Sequence, residues 1–232
     1  MVKFLKELLD WSEVWATVIP LIVYFVKKPK ANWIKPILIY LLFALFYSLL
    51  IDISWKTGTK AWSKSLFSWL YRDGWLYNVI FYNLFSLTRV ILFIWFFIKI
   101  NSFYKKFYYS ILIAFTIFFI VNFIFWQDIM EFSSRQLALD AGILLIFCLT
   151  YFYKINLDDS VYSPLALPQS WIVIGLTLYT AVNFFIFLFF SYITDALRDY
   201  AINIWNVHNC SYILLNLFIA VSFSKVKNKS VI

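Results

Sequence analysis

Glycine is scarce in this sequence, with 4 residues in 232. Loops that cradle phosphate, and the tight elbow that presents a nucleophilic serine, are built from clustered glycines. No such cluster occurs, so a phosphate-binding loop and an elbow-type hydrolase are excluded. Broken helices of the transporter kind also lean on glycine and on internal repeats, and no repeat is visible. Histidine occurs once, as His208, and the two cysteines, Cys148 and Cys210, stand alone in apolar runs. These leave no ligand set for a metal and no support for a disulfide or redox pair; the cysteines read as small buried apolar residues. No lysine lies deep in the last apolar run, which excludes a retinal Schiff base there. His208 with Asp140 is the one conceivable acid–base pair for a lipid-directed enzyme. We therefore read the chain as non-enzymatic, with no cofactor and no metal.

Charge is also scarce. Charged residues make up 14% and hydrophobic residues 63%, against about 25% and about 45–50% in soluble domains. With a mean hydropathy of +0.80, an aqueous fold of this length could not hide its apolar surface, so the solvent is lipid. The formal charge of +8 comes from lysines clustered beside apolar runs, where they set topology. It is not a nucleic-acid signal, and membrane lipid is the expected partner.

What is present is a series of long apolar runs, continuous and not alternating, which favours helices over a barrel. Seven spans are expected, at residues 13–25, 34–53, 76–98, 107–126, 136–153, 171–193 and 201–223. The first is short and interrupted by Pro20. The fold class is all-α, a single polytopic membrane domain over residues 1–232. One face carries eleven Lys and Arg and the other eight, with Arg89 set aside; the positive-inside rule then puts the N-terminus outside and the C-terminus inside. Lys3, Lys6, Glu7 and Asp10 interrupt the N-terminal stretch, so no cleavable signal peptide is expected. Residues 60–70 carry Trp62, Leu66, Trp69 and Leu70 at helical spacing and read as an interfacial helix or an aromatic-anchored loop. Residues 2–11 read similarly.

Arg89 lies in the middle of the third run with no ionised neighbour on its own helix. An arginine there costs at least about 2.5–3.5 kcal/mol on insertion scales and cannot shed its proton. Its expected counter-ion is Asp140, directly or through Asn183, with Asp52 as the second choice. Ser86, one turn before it, is placed to bond it, and Tyr82 shares its face. Asn83, Asn122, Tyr179, His208 and Asn209 fall in the same depth band, from the midplane towards the outer surface, while the inner half reads as almost pure Ile, Leu and Phe, with Asn216 the exception. Such a band suggests an outward-facing polar pocket or a structural clamp. An arginine in it favours an anionic or carbonyl-bearing ligand.

Three segments carry a resemblance. The stretch from Asn83 to Arg89 followed by Phe96–Lys99, the stretch Trp171–Gly175 with Tyr179 and Asn183, and Trp205–Asn209 with Asn216 are similar to the third, sixth and seventh helices of a seven-helix membrane module of Bacteroidota. That module occurs at the N-terminus of sensor histidine kinases or alone. It commonly has Glu where this chain has Arg89, and no kinase, dimerisation helix or phosphoacceptor domain accompanies the spans here. The resemblance implies a sensory or scaffolding module in the bacterial inner membrane, whose output needs a protein partner, kinase-like or another membrane subunit. A structural subunit of a larger complex and a small transporter are the alternatives.

Overall fold

The computed structural model describes residues 8–57, 62, 65, 68–72, 75–76, 78–158, 163–190, 192–193 and 201–226. Its main elements are seven helices: α1 (Ser12–Lys27), α2 (Ile34–Thr57), α3 (Val79–Ile100), α4 (Lys105–Val121), α5 (Ser134–Asn156), α6 (Pro168–Leu188) and α7 (Ala201–Lys225). In hydrocarbon every backbone N–H and C=O needs an internal partner, and runs this long satisfy it only as helix. Six of the helices, α2 to α7, are long and apolar enough to cross a membrane, which makes the chain an integral membrane protein. At 16 residues, α1 is shorter than the roughly 20 that span a bilayer.

Six helices form a closed ring: α1 packs on α2, α2 on α3, α3 on α5, α5 on α6, α6 on α7, and α7 back on α1. The fourth helix is outside it, packed on α3 and touching α5 through Phe107 and Tyr108 against Phe147. Only 17% of its span is buried; Ile113, Ile117, Ile120 and Ile124 point outward. The close seams use small residues. The inward face of α1 is Ser12, Ala16, Thr17, Pro20 and Leu21. Between α6 and α7, Gly175 leaves so little room that an added Cβ would stand 2.6 Å from Phe218 Cβ.

The α1–α2, α3–α4 and α5–α6 connections share one end of the bundle with the end of α7, and this basic end carries Lys27, Lys28, Lys99, Lys105, Lys154 and Lys225. Pro20 removes the N–H that would meet the Ala16 carbonyl, yet α1 continues until Lys28 turns left-handed at φ 47° and closes it, donating to the Tyr24 carbonyl at 2.8 Å. The core towards this end is aromatic: Tyr40 on Phe93 at 4.7 Å, and Tyr108 on Phe147 at 4.8 Å.

Several expectations need correction. The third helix begins at Val79, not residue 76, because Trp75–Leu76 pair antiparallel with Tyr71–Arg72 in a two-residue ladder. Most of the 60–70 segment and of residues 2–11 lies outside the described residues; Ser68–Leu70 form a single 3-10 turn. The sixth helix reaches the expected 193 with an interruption: its continuous part ends at Leu188, Phe189 is a turn, and Phe190 and residues 192–193 are helical beyond it. The fourth ends in a π-turn, Asn122–Trp126, sealed by Gln127 N–H on the Asn122 carbonyl at 2.8 Å. The half towards the basic end is not purely apolar: Tyr151 meets Ser170 at 2.8 Å, and Asn101 reaches Tyr108 at 3.2 Å.

Candidate functional site

Arg89 is 5% exposed and Asp140 fully buried, and the two form an ion pair between α3 and α5. Both Nε, at 3.0 Å, and Nη2 of the guanidinium bond the same carboxylate oxygen, Asp140 Oδ2. Ser86 Oγ donates to that oxygen at 2.9 Å, so Ser86 serves the carboxylate and not the arginine. Arg89 Nη1 donates to the Tyr179 hydroxyl at 2.7 Å, carrying the link to α6. Phe85 and Tyr179 flank the guanidinium, with ring centroids 5.7 and 5.5 Å from Cζ. In a low-dielectric interior this close pairing is what makes the charge tolerable. Asn183 is not the bridge, and Asp52, half-buried near the end of α2, is not the counter-ion.

Asn183 instead sets the histidine. Its Nδ2 donates to the Tyr179 carbonyl at 2.6 Å and to Ser211 Oγ at 3.3 Å, and its Oδ1 meets His208 Nδ1. The other ring nitrogen, Nε2, faces Glu13 Oε1 of α1 at 3.7 Å. Trp205 stacks on the imidazole at 4.9 Å, with Phe187 and Tyr179 at 5.9 and 5.8 Å.

These groups border one narrow cavity in the half of the bundle away from the basic end; its empty space, counted with the open solvent at its mouth, is about 530 Å³, of which about 30 Å³ admits the centre of a water molecule. Arg89, Tyr179, Glu13 and His208 line it; Phe85, Phe132 and Trp205 are among its apolar walls. The mixture of apolar wall with a few polar groups is that of a small-molecule site. Asp140 already occupies one side of the guanidinium, so the anion expected beside Arg89 is supplied by the chain itself.

The remaining expected residues do other work. Asn83 donates to the carbonyls of Ile129 and Glu131 at 2.8 and 2.9 Å, and Asn122 reaches Ser133 Oγ at 3.3 Å. Both hold the loop between α4 and α5, which presents Phe132 to the cavity. Asn209 donates to the Leu9 carbonyl at 3.2 Å. Glu13 and Tyr212 are among the cavity residues that were not expected. Glu13, in the first turn of α1, faces inward. Tyr212, indistinguishable from its aromatic neighbours in sequence, shares a 2.7 Å hydrogen bond with Thr17 that joins α7 to α1. The signal available was Glu13 itself, an acid at the start of an apolar helix. Among the described residues no cluster of His, Cys, Asp and Glu could hold a metal. Compared with family models, curated proteins and solved structures, the chain matches none, so what the site can do is argued from its own geometry.

Proposed function

We propose that this chain is a non-enzymatic, sensor-like or accessory protein of the bacterial inner membrane that binds a small ligand and signals through a protein partner. The observation that supports it most is the cavity itself, walled by aromatics and bordered by Arg89, Tyr179, His208 and Glu13. The resemblance to seven-helix sensory modules points the same way. On this reading α1 is a seventh span: the helical residues Leu8–Asp10 precede it through a turn at Trp11, and residues 8–27 together would cover about 30 Å at 1.5 Å per residue. The basic end then faces the cytoplasm, and the cavity lies in the outer half. Cysteines placed singly at residues 10 and 226 of a Cys-free variant test this. The first should react with an impermeant maleimide in intact cells and the second only after lysis; the reverse pattern refutes the orientation.

The pocket is tested by filling it. Leu137 lines it, and Leu137→Trp should abolish thermal stabilisation by any ligand found to bind, without lowering the unliganded melting temperature by more than a few degrees. Retained binding would place the ligand elsewhere. A second reading, a structural subunit of a larger complex, is favoured by the outward-facing isoleucines of α4 and by the internal pairing of Arg89, which needs no ligand to be stable. Purification from the native membrane separates the two: a stoichiometric membrane partner that survives Leu137→Trp supports the subunit. The transporter alternative draws less support, since α2, α3 and α5 run without interruption.

A further inference from the structure

The hydrogen-bond network around His208 fixes which of its nitrogens carries a proton. A backbone carbonyl can only accept, so the amide group of Asn183 facing the Tyr179 carbonyl at 2.6 Å must be its NH₂. A second, independent constraint agrees. Ser211 donates its one hydroxyl proton to the His208 carbonyl at 2.7 Å and therefore accepts from the same NH₂. The Asn183 oxygen is thus what faces the ring, and His208 Nδ1 must be the donor to it. In the neutral ring Nε2 is then a bare lone pair, aimed into the cavity.

What Nε2 faces is another acceptor. Glu13 Oε1 stands 3.7 Å away, beyond the 2.7–3.2 Å of an N–H···O bond. An ammonium donating two bonds of about 2.9 Å along tetrahedral directions spans acceptors roughly 4.7 Å apart, so one nitrogen donates to both once the Glu13 carboxylate swings outward from its 3.7 Å position. The surroundings select its charge. Arg89 is neutralised by Asp140, so with a neutral imidazole Glu13 is the uncompensated charge among the residues lining the cavity. Trp205, Phe187 and Tyr179 border the same space, and aromatic faces attract cations.

Resting on the ligand-binding reading above, we propose that the cavity binds a protonated amine with an apolar body. Its ammonium group donates to Glu13 and to His208 Nε2, and its body lies against the aromatic wall towards Phe85. A carboxylate ligand at this position would meet Glu13 and the Nε2 lone pair and be repelled by both.

The test uses the full chain in lipid nanodiscs and three probes of one shape: phenethylamine, 2-phenylethanol and phenylacetate. Melting temperature is measured against ligand concentration. The amine should stabilise and the other two should not. Glu13→Gln should weaken the amine at least about tenfold, the size expected for losing a hydrogen bond to a charged group, while its unliganded helical circular dichroism stays that of the parent. Stabilisation by the alcohol or the acid equal to that by the amine overturns the cation assignment and leaves the pocket standing. No stabilisation by any of the three overturns both. Since His208 is the one histidine of the chain, ¹⁵N-histidine labelling gives a direct second readout. In the neutral ring the proton should sit on Nδ1, and the bare Nε2 should show a resonance that moves on adding the amine. An imidazolium already paired with Glu13 in the free protein would refute the proposal.

Discussion

Removing either partner of the Arg89–Asp140 pair should destabilise the bundle, and the two removals should not cost the same. Arg89 makes three hydrogen bonds, two to Asp140 Oδ2 and one to Tyr179. Hydrogen bonds to charged groups are worth about 1.5–3 kcal/mol in soluble proteins, whereas polar contacts inside membranes average about 0.6 kcal/mol. Breaking one side of a buried pair costs about 3–5 kcal/mol in water-soluble folds. Taken together, Arg89→Leu should cost about 3 kcal/mol. It leaves a lone carboxyl, which can take up a proton in an apolar site. Asp140→Asn leaves a guanidinium, which cannot release one, and it should therefore cost more. The double variant Arg89→Leu/Asp140→Asn should recover about 2 kcal/mol relative to the sum of the single losses. Reversible unfolding in mixed micelles, driven by dodecyl sulfate and followed by circular dichroism, reads all four proteins. Losses that add within about 0.5 kcal/mol would mean the pair contributes no coupling. Arg89→Leu costing more than Asp140→Asn would refute the argument from proton release.

Gly175→Ala should lower the melting temperature, because the new methyl would meet Phe218 Cβ at 2.6 Å and the Leu215 backbone at 3.3 Å; overpacking of this kind costs about 1–3 kcal/mol. Gly142→Ala is the control, since its methyl meets only the ring edge of Phe184 at 3.2 Å, which can rotate away, and the melting temperature should hold. Tyr212→Phe and Thr17→Val should each cost under about 1 kcal/mol, and the double variant no more than the larger single, because both remove the same hydrogen bond. Cys210, exposed, should react with a lipid-soluble maleimide in the folded protein, and Cys148, buried, only after unfolding; equal rates would contradict the packing of α5.

Much of the site was legible because ionisable residues deep in lipid-facing sequence are so few. Arg89 had one strong candidate at matching depth, and Asp140 is the residue it meets. Depth alone did not separate roles: Asn83 and Asn122 occupy the same band as His208 but turn away from the cavity to hold a loop. Glu13 escaped because a charge in the first turn of a short helix looks the same whether it faces water or the interior. Rotation about the α1 axis decides that, and it is fixed by α7, nearly 200 residues later. The place of α4 was also illegible. Its hydropathy equals that of α2, at 2.2 for each, yet their buried shares are 17% and 39%. Lipid and protein interior are equally apolar, so composition cannot tell a helix inside the ring from one outside it.

The closed ring has a consequence for biogenesis. Its last seam joins the first helix to the last: Thr17 on α1 meets Tyr212 on α7, 195 positions apart. Another seam, α3 on α5, skips the helix between them. During synthesis, Arg89 therefore enters the bilayer before the group that covers it. The arginine waits for the fifth helix to bring Asp140, and the cavity has no wall on one side until the seventh arrives. A nascent chain halted before α7 would hold an open arc of helices with its polar face towards lipid or an insertase. The order of translation thus sets the order in which the charges find their partners, and the cavity is the last part of the bundle to close.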